Sequence, residues 1–167
     1  MENNQLSPNT LAFIALANEY CSAIEQAIEC EKEEFVAKML KLLPRIYISA
    51  SDINIKESEE DCCVEPYLDE EVYDRIRGGI AAVMAEDDVF LETFEEDMKY
   101  SETPISATIS EDLADIYQEM YNFVASVRDV SSEAIKSIVI TCKEDFASFW
   151  GQTLCNVLRA LHSSFYK

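Results

Sequence analysis

The chain has 167 residues, 49% of them apolar, and sets thirty-three acidic side chains against thirteen Lys and Arg and one His, for a formal charge of −20. That length and apolar content suit one domain with one core and exclude a disordered chain. The charge excludes ordinary nucleic-acid binding, because a field of this sign repels phosphate backbones. Three Gly and four Pro favour long regular elements over tight turns. Apolar residues recur at helical spacing from end to end, and strand-like alternation is nowhere sustained. The expected architecture is therefore all-α: a single-domain bundle of five to seven helices over residues 1–167.

Ser7 followed by Pro8 reads as an N-cap and a first helical residue. They open a helix expected to reach the early thirties, with Phe13, Leu16, Ala17, Tyr20, Ile24, Ala27 and Ile28 on one stripe. A second helix begins near Glu31 and carries Phe35, Val36, Met39, Leu40 and Leu43. Pro44 lacks a backbone donor, so a kink or a restart toward Ile46 and Tyr47 is expected there. Residues 52–68, DINIKESEEDCCVEPYL, read as an exposed acidic connection. The third helix buries Val72, Tyr73, Ile76, Ile80, Val83 and Met84. Within it Gly78-Gly79 cost about 1 kcal/mol each relative to Ala, which implies a bend or a close helix approach. The helical pattern restarts near Asp87 with DDVFLETFEEDM, and YSETPISAT makes a turn around Pro104. SEDLADIYQEMYNFVASVRD is the clearest helix, striped by Leu113, Ile116, Tyr117, Met120, Phe123, Val124 and Val127. Ser131 or Ser132 caps the next segment, and a last helix is expected over roughly 143–165.

No apolar run approaches a membrane span, and MENNQLSPNT lacks the charged and apolar regions of an export signal. A soluble, cytoplasmic protein is expected. Its six cysteines need form no disulfides in a chain this rich in core; Cys21, Cys30, Cys142 and Cys155 sit inside helical patterns, where a thiol packs as a small hydrophobe. The acidic excess is uneven. Residues 52–102 hold eighteen acids against four bases, and the flanks hold seven against four and eight against five.

On the last helix Phe146, Phe149, Trp150, Thr153, Leu154, Val157, Leu158 and Leu161 share one broad face. Trp150 is thus expected as a core anchor. Gly151 lies on the flank, where it lets a neighbouring backbone come close; His162 also lies on the flank, and Arg159 nearly opposite the stripe. On the DLADIY helix Asp112, Asp115 and Glu119 occupy one arc, since spacings of three and four return to one face. Three carboxylates so placed attract a cation: Arg159, a metal ion or solvent counter-ions. Arg159 is expected to pair with Asp112 or Asp115. His162 is read as a packed or hydrogen-bonded histidine, since no nucleophile turn of the G-x-S-x-G kind is present. One His and no CxxC make no zinc set, and Gly78-Gly79 lack the rest of a phosphate-cradling loop.

LLPRIY around Pro44, DDVFLETF near Asp87, EDLADIYQEM from Glu111 and the closing FWGQTLCNVLRALH resemble an uncharacterised bacterial domain-of-unknown-function family. Its members are small, acidic, all-helical proteins of Bacteroides-like and other bacteria. The similarity runs over nearly the whole chain in order, and DLADIY followed by WGQ…LRALH is its most specific part. The resemblance implies a single cytoplasmic all-α domain with no established activity. The positions matching the family's pattern are Asp112, Asp115, Trp150, Gly151, Arg159 and His162. Relatives place further histidines around the WG element; Phe149 and Thr153 stand there in this chain, which puts any imidazole-dependent site in doubt.

Two functional readings follow. The leading one is a non-enzymatic protein-interaction or regulatory module, without cofactor, whose acidic middle third meets a basic protein partner and neither nucleic acid nor membrane. The alternative is a hydrolase of small phosphate-containing molecules. It would hold Mg or Mn on Asp112, Asp115 and Glu119, with Arg159 as a phosphate contact.

Overall fold

The computed structural model describes residues 5–92, 99–100, 103 and 105–167. Helix α1 (Pro8–Glu25) starts at its sequence signal: the Ser7 hydroxyl accepts from the Thr10 amide at 3.2 Å, and Pro8 takes the first helical position. It ends earlier than expected, giving way to a single 3₁₀ turn at Ala27–Glu29 before α2 (Lys32–Ser51). Helix α2 runs unbroken through Pro44. The missing N–H leaves one carbonyl of the preceding turn without its helical donor, but Leu42, Leu43 and Ile46 on either side are all buried, so packing carries the helix across. At its far end Lys143 donates to the Ala50 and Ser51 carbonyls at 2.7 and 2.9 Å, a cation on the negative end of the helix dipole.

Residues 52–68 form no regular element, as expected, and their acids face solvent. The segment is nevertheless docked: Ile53 is buried, and Ile55, Cys62, Val64 and Leu68 pack against the core. Helix α3 (Glu70–Met84), capped by the Asp69 carboxylate on the Glu71 amide, is continuous through Gly78-Gly79. A Cβ at either glycine would meet nothing within 4 Å. The close approach expected from them is therefore absent from the described structure, and nothing there explains the pair.

The helical restart near Asp87 is also replaced. Ala85, at φ 51° and ψ −125°, ends α3; a 3₁₀ turn follows (Ala85–Asp88), then a strand, β1 (Val89–Leu91). It pairs antiparallel with β2 (Ser106–Thr108), with Phe90 opposite Ala107. Three-residue strands are too short to show alternation, which is why no sequence periodicity marks them. Glu95, Glu96 and Asp97, and the turn expected around Pro104, lie outside the described residues.

Helix α4 (Ile109–Ser126) is the hub, packing on α1, α3, α5 and α6. Ser131 caps α5 (Ser132–Asp145), accepting from the Ala134 amide at 3.1 Å. The chain then enters not a new helix but a π turn at Phe146–Trp150, which leads straight into α6 (Gly151–Phe165). The expected helix start near Lys143 thus lies inside one continuous rod. The core gathers Phe13 and Tyr20 of α1, Phe35, Met39 and Leu43 of α2, Ile80 and Met84 of α3, Tyr117 and Phe123 of α4, and Trp150, all at most 1% exposed. Each such side chain contributes about 1.5–3 kcal/mol of transfer free energy. The described structure is an all-α bundle with one small two-stranded ribbon.

Candidate functional site

Trp150 is fully buried. Its ring stacks on Phe13 at 6.3 Å between centroids and meets the edge of Phe146 at 4.7 Å, while its indole N–H points at the Cys142 carbonyl, 3.4 Å away. Gly151 does permit a close backbone approach, and the backbone is that of its own rod. In the π turn the Gly151 amide donates to the Phe146 carbonyl five residues back. A Cβ on residue 151 would lie 2.5 Å from that oxygen and 2.9 Å from the Phe146 ring. The Trp-Gly pair therefore closes a π turn around one phenylalanine.

Helix α4 carries the acidic arc. Its first turn is fixed twice: the Thr108 hydroxyl accepts from the Glu111 amide, and the buried Asp88 carboxylate takes both the amide and the hydroxyl of Ser110 at 2.7 Å. From that end Asp112, Asp115 and Glu119 follow in order, all half-buried. Asp115 accepts a 2.5 Å hydrogen bond from the Tyr73 hydroxyl of α3. Burial raises its pKa, the Tyr73 bond works against that shift, and Glu111 adds to it. The Glu119 carboxyl is pushed up to about 7, first by burial and then by the charges of Asp145 and Asp115. Behind it the buried Cys142 thiol is raised by desolvation, then by Glu119 and Asp145. The arc is a half-buried acidic seam, and Glu119 is the member whose proton is held most firmly.

The guanidinium expected to meet this arc lies elsewhere. Helices α4 and α6 do pack together, but Arg159 leaves α6 on its other side, where it donates to the Leu91 carbonyl of β1 at 2.5 Å and lies 6.0 Å from the centre of the Phe90 ring. The expected pairing with Asp112 or Asp115 is corrected accordingly. His162 is exposed beside Tyr166, with ring centroids 4.7 Å apart. The six family-pattern positions thus divide among four places: the core, the acid seam, the β-ribbon face and, for His162, the exposed surface beside Tyr166. Among the described residues no group of three His, Cys, Asp or Glu side chains is arranged so that it could hold a metal ion. The arc of Asp112, Asp115 and Glu119 does not form one.

Sequence reasoning missed two sets of residues. The first docks the 85–92 segment on α6. Asn156 donates to the buried Glu92 carboxylate at 3.2 Å, and Asp87 accepts from Lys32 at 3.1 Å, from Ser164 at 2.9 Å and from Lys167. Those bonds, Lys167 first and Ser164 next, hold the Asp87 pKa down to about 2. Beside them a groove of about 450 Å³ opens between Lys32 and Val36 of α2 and Ser164, Phe165 and Lys167. Its two lysines both bond Asp87, and Glu33 in the lining supplies a second negative charge.

The second set holds residues 58–68, the strap, across α4 and α5. Leu68 N donates to Asn122 Oδ1 at 2.7 Å, Glu65 N to Ser126 Oγ at 3.0 Å, Cys62 N to Ser137 Oγ at 2.8 Å and Glu59 N to Glu133 Oε2 at 3.3 Å. Ser137 Oγ returns a 2.6 Å bond to the Cys62 carbonyl, and Ser58 Oγ donates to the Glu133 carbonyl at 2.7 Å. The legible signal was polar residues on otherwise apolar faces: Asn122, Ser126 and Ser137 are buried, and buried polar atoms need partners. The strap supplies them.

A family model described as a domain of unknown function (DUF5063) matches residues 4–167. The chain belongs to the DUF5063 family. A similar solved structure is the crystal structure of protein BF1032 from Bacteroides fragilis. It is 35% identical, with a TM-score of 0.82 over 95% of this chain and 92% of that one. Comparison with curated proteins gives no match. Among the described residues of this DUF5063 chain, no helix is long and apolar enough to cross a membrane.

One further surface stands out in the DUF5063 fold. From Glu57 to Asp74 the sequence has nine acids and no Lys or Arg, and all nine acidic residues are exposed. The strap and the first turn of α3 carry them as one acidic ribbon.

Proposed function

We propose that this DUF5063 protein is a non-enzymatic interaction module whose acidic ribbon, residues 57–74, receives a basic protein partner. The observation that carries this reading is the ribbon itself: nine exposed acids without an intervening base, on a backbone tied to two helices. Fixed charges on a held backbone present a persistent negative field. Such a field steers cationic partners and weakens steeply with salt, because screening acts over about 8 Å at physiological ionic strength. A partner rich in Lys and Arg is the complement, and electrostatic matching of this kind governs encounter rate and choice of partner.

The test uses a defined Lys/Arg-rich peptide and two variants that remove equal charge. One neutralises the ribbon (Glu57→Gln, Glu59→Gln, Asp61→Asn, Glu70→Gln). The other neutralises an acidic surface around the start of α2 (Glu29, Glu31, Glu33 and Glu34 to Gln). The ribbon variant should lose at least tenfold in affinity at low salt, and the control should lose far less. Equal losses in the two variants would show that net charge alone attracts the peptide and would defeat the assignment.

A further inference from the structure

The strap's anchors share a property that the ribbon's charges do not. The donating amides belong to residues 59, 62, 65 and 68, one in every three. Three residues is the repeat of an extended polyproline-II-type chain, so a single side of the strap faces the helices. Three of the four acceptors, Ser137, Ser126 and Asn122, are neutral, and the bonds they receive come from main chain. Apolar support is thin, because Cys62, Val64 and Leu68 are only partly buried. Opposing these bonds, the strap carries Glu59, Asp61 and Glu65 on a chain of net charge −20, whereas Glu60 accepts a 2.7 Å bond from the Ser131 hydroxyl at the start of α5. One of its amides rests on a further carboxylate, Glu133. Attraction here comes chiefly from bonds to neutral acceptors and repulsion from exposed like charges, so salt screens mainly the repulsion.

We infer that the strap is a charge-sensing latch: neutralising its acids, by salt or by a bound cationic segment, tightens it on α4 and α5, so that partner binding and strap closure are coupled. The partner half of this inference rests on the acidic-ribbon reading above; the salt half does not. A cationic segment on the outer side removes the repulsion that works against the inner side without touching an anchor. Linkage then requires closure to favour the partner by the same factor.

Amide hydrogen exchange on the intact protein tests it. Protection of the Glu59, Cys62, Glu65 and Leu68 amides should rise by about threefold or more between 20 and 300 mM NaCl, relative to amides of α4's buried face. In a variant with Glu59, Asp61 and Glu65 neutralised, the same amides should already show the high-salt protection at 20 mM and gain little further. Strap protection that is flat or falling with salt, or a neutralised strap that still responds to salt, would overturn the latch. Adding a Lys-rich decapeptide at 20 mM NaCl should also raise protection at these four amides. A peptide that binds by titration but leaves them unchanged defeats the coupling and spares the ribbon reading. A normal salt response with no peptide binding supports the latch and defeats the ribbon reading. Asn122→Ala should release the Leu68 amide first, while the helical circular dichroism signal holds.

Discussion

Replacing Gly151 by Ala adds one methyl group at the buried end of the π turn. The added carbon would lie 2.5 Å from the Phe146 carbonyl oxygen and 2.9 Å from its ring, about 0.9 Å inside an ordinary contact of 3.4 Å. Neither neighbour yields easily. The oxygen accepts the Gly151 amide across the π turn, and the ring is wedged against Trp150 and against Tyr47 at 5.1 Å. Shortening the turn to an α turn would rotate everything beyond it by about 100°. Either Ile138 and Cys142 or Leu154 and Val157 would then leave the core. Overpacking strain of this kind costs about 1–3 kcal/mol, partly offset by the helix preference of Ala over Gly, about 1 kcal/mol. The net cost is about 0–2 kcal/mol, so at roughly 2–4 °C per kcal/mol for a domain of this size Gly151→Ala should lower the melting temperature by up to about 8 °C. Gly78→Ala is the matched control: its Cβ would enter open space, so the propensity gain of about 1 kcal/mol should appear alone and raise the melting temperature. Thermal unfolding followed by circular dichroism measures both. A Gly151→Ala protein as stable as Gly78→Ala would refute the account of the π turn.

Glu119 gives a pH signature. Its folded pKa of about 7 lies above the ordinary 4.5, so the folded state binds the proton more tightly. The associated stability is present below about pH 4.5 and is lost as pH rises through 7. Glu119→Gln should therefore gain on wild type between pH 5 and 8, by about 1–2 kcal/mol after solvent screening of a half-buried group, in urea unfolding at each pH; parallel pH curves would contradict it. Ala85 holds a positive φ that disfavours any side chain, so Ala85→Gly should stabilise by about 1 kcal/mol, read as a higher denaturant midpoint at unchanged slope. Trp150→Ala, which empties the centre of the core, should cost about 3–5 kcal/mol and leave little folded protein at 37 °C, checked by the same unfolding curves.

The helices were legible because each carries its own stripe, and α1 and α5 a serine cap as well. Ser7-Pro8 marks α1, and the seven apolar positions of DLADIYQEMYNFVASV mark α4 without reference to anything distant. What could not be read was placement set by other segments. Arg159 lies opposite the α6 stripe, as its spacing implies, but its acceptor is a backbone carbonyl in a three-residue strand. Charge matching between side chains had no means of finding that acceptor, and it nominated Asp112 and Asp115 instead. The strap illustrates the same limit from the other side. Its acids correctly announced solvent exposure, whereas its anchoring depends on amides, which every non-proline residue possesses and no sequence pattern records. Asn122, Ser126 and Ser137 were the available clue, as polar intrusions in apolar faces.

The bond from Arg159 to the Leu91 carbonyl has a consequence for solubility. In a two-stranded ribbon each strand is an edge strand, and Val89 and Leu91 are 64% and 58% exposed, a profile that can template pairing with another extended chain. By occupying the outward carbonyl with a bulky cation, α6 blunts that margin with a group no incoming strand can imitate. An arginine so placed disfavours strand pairing between copies of the chain along that edge.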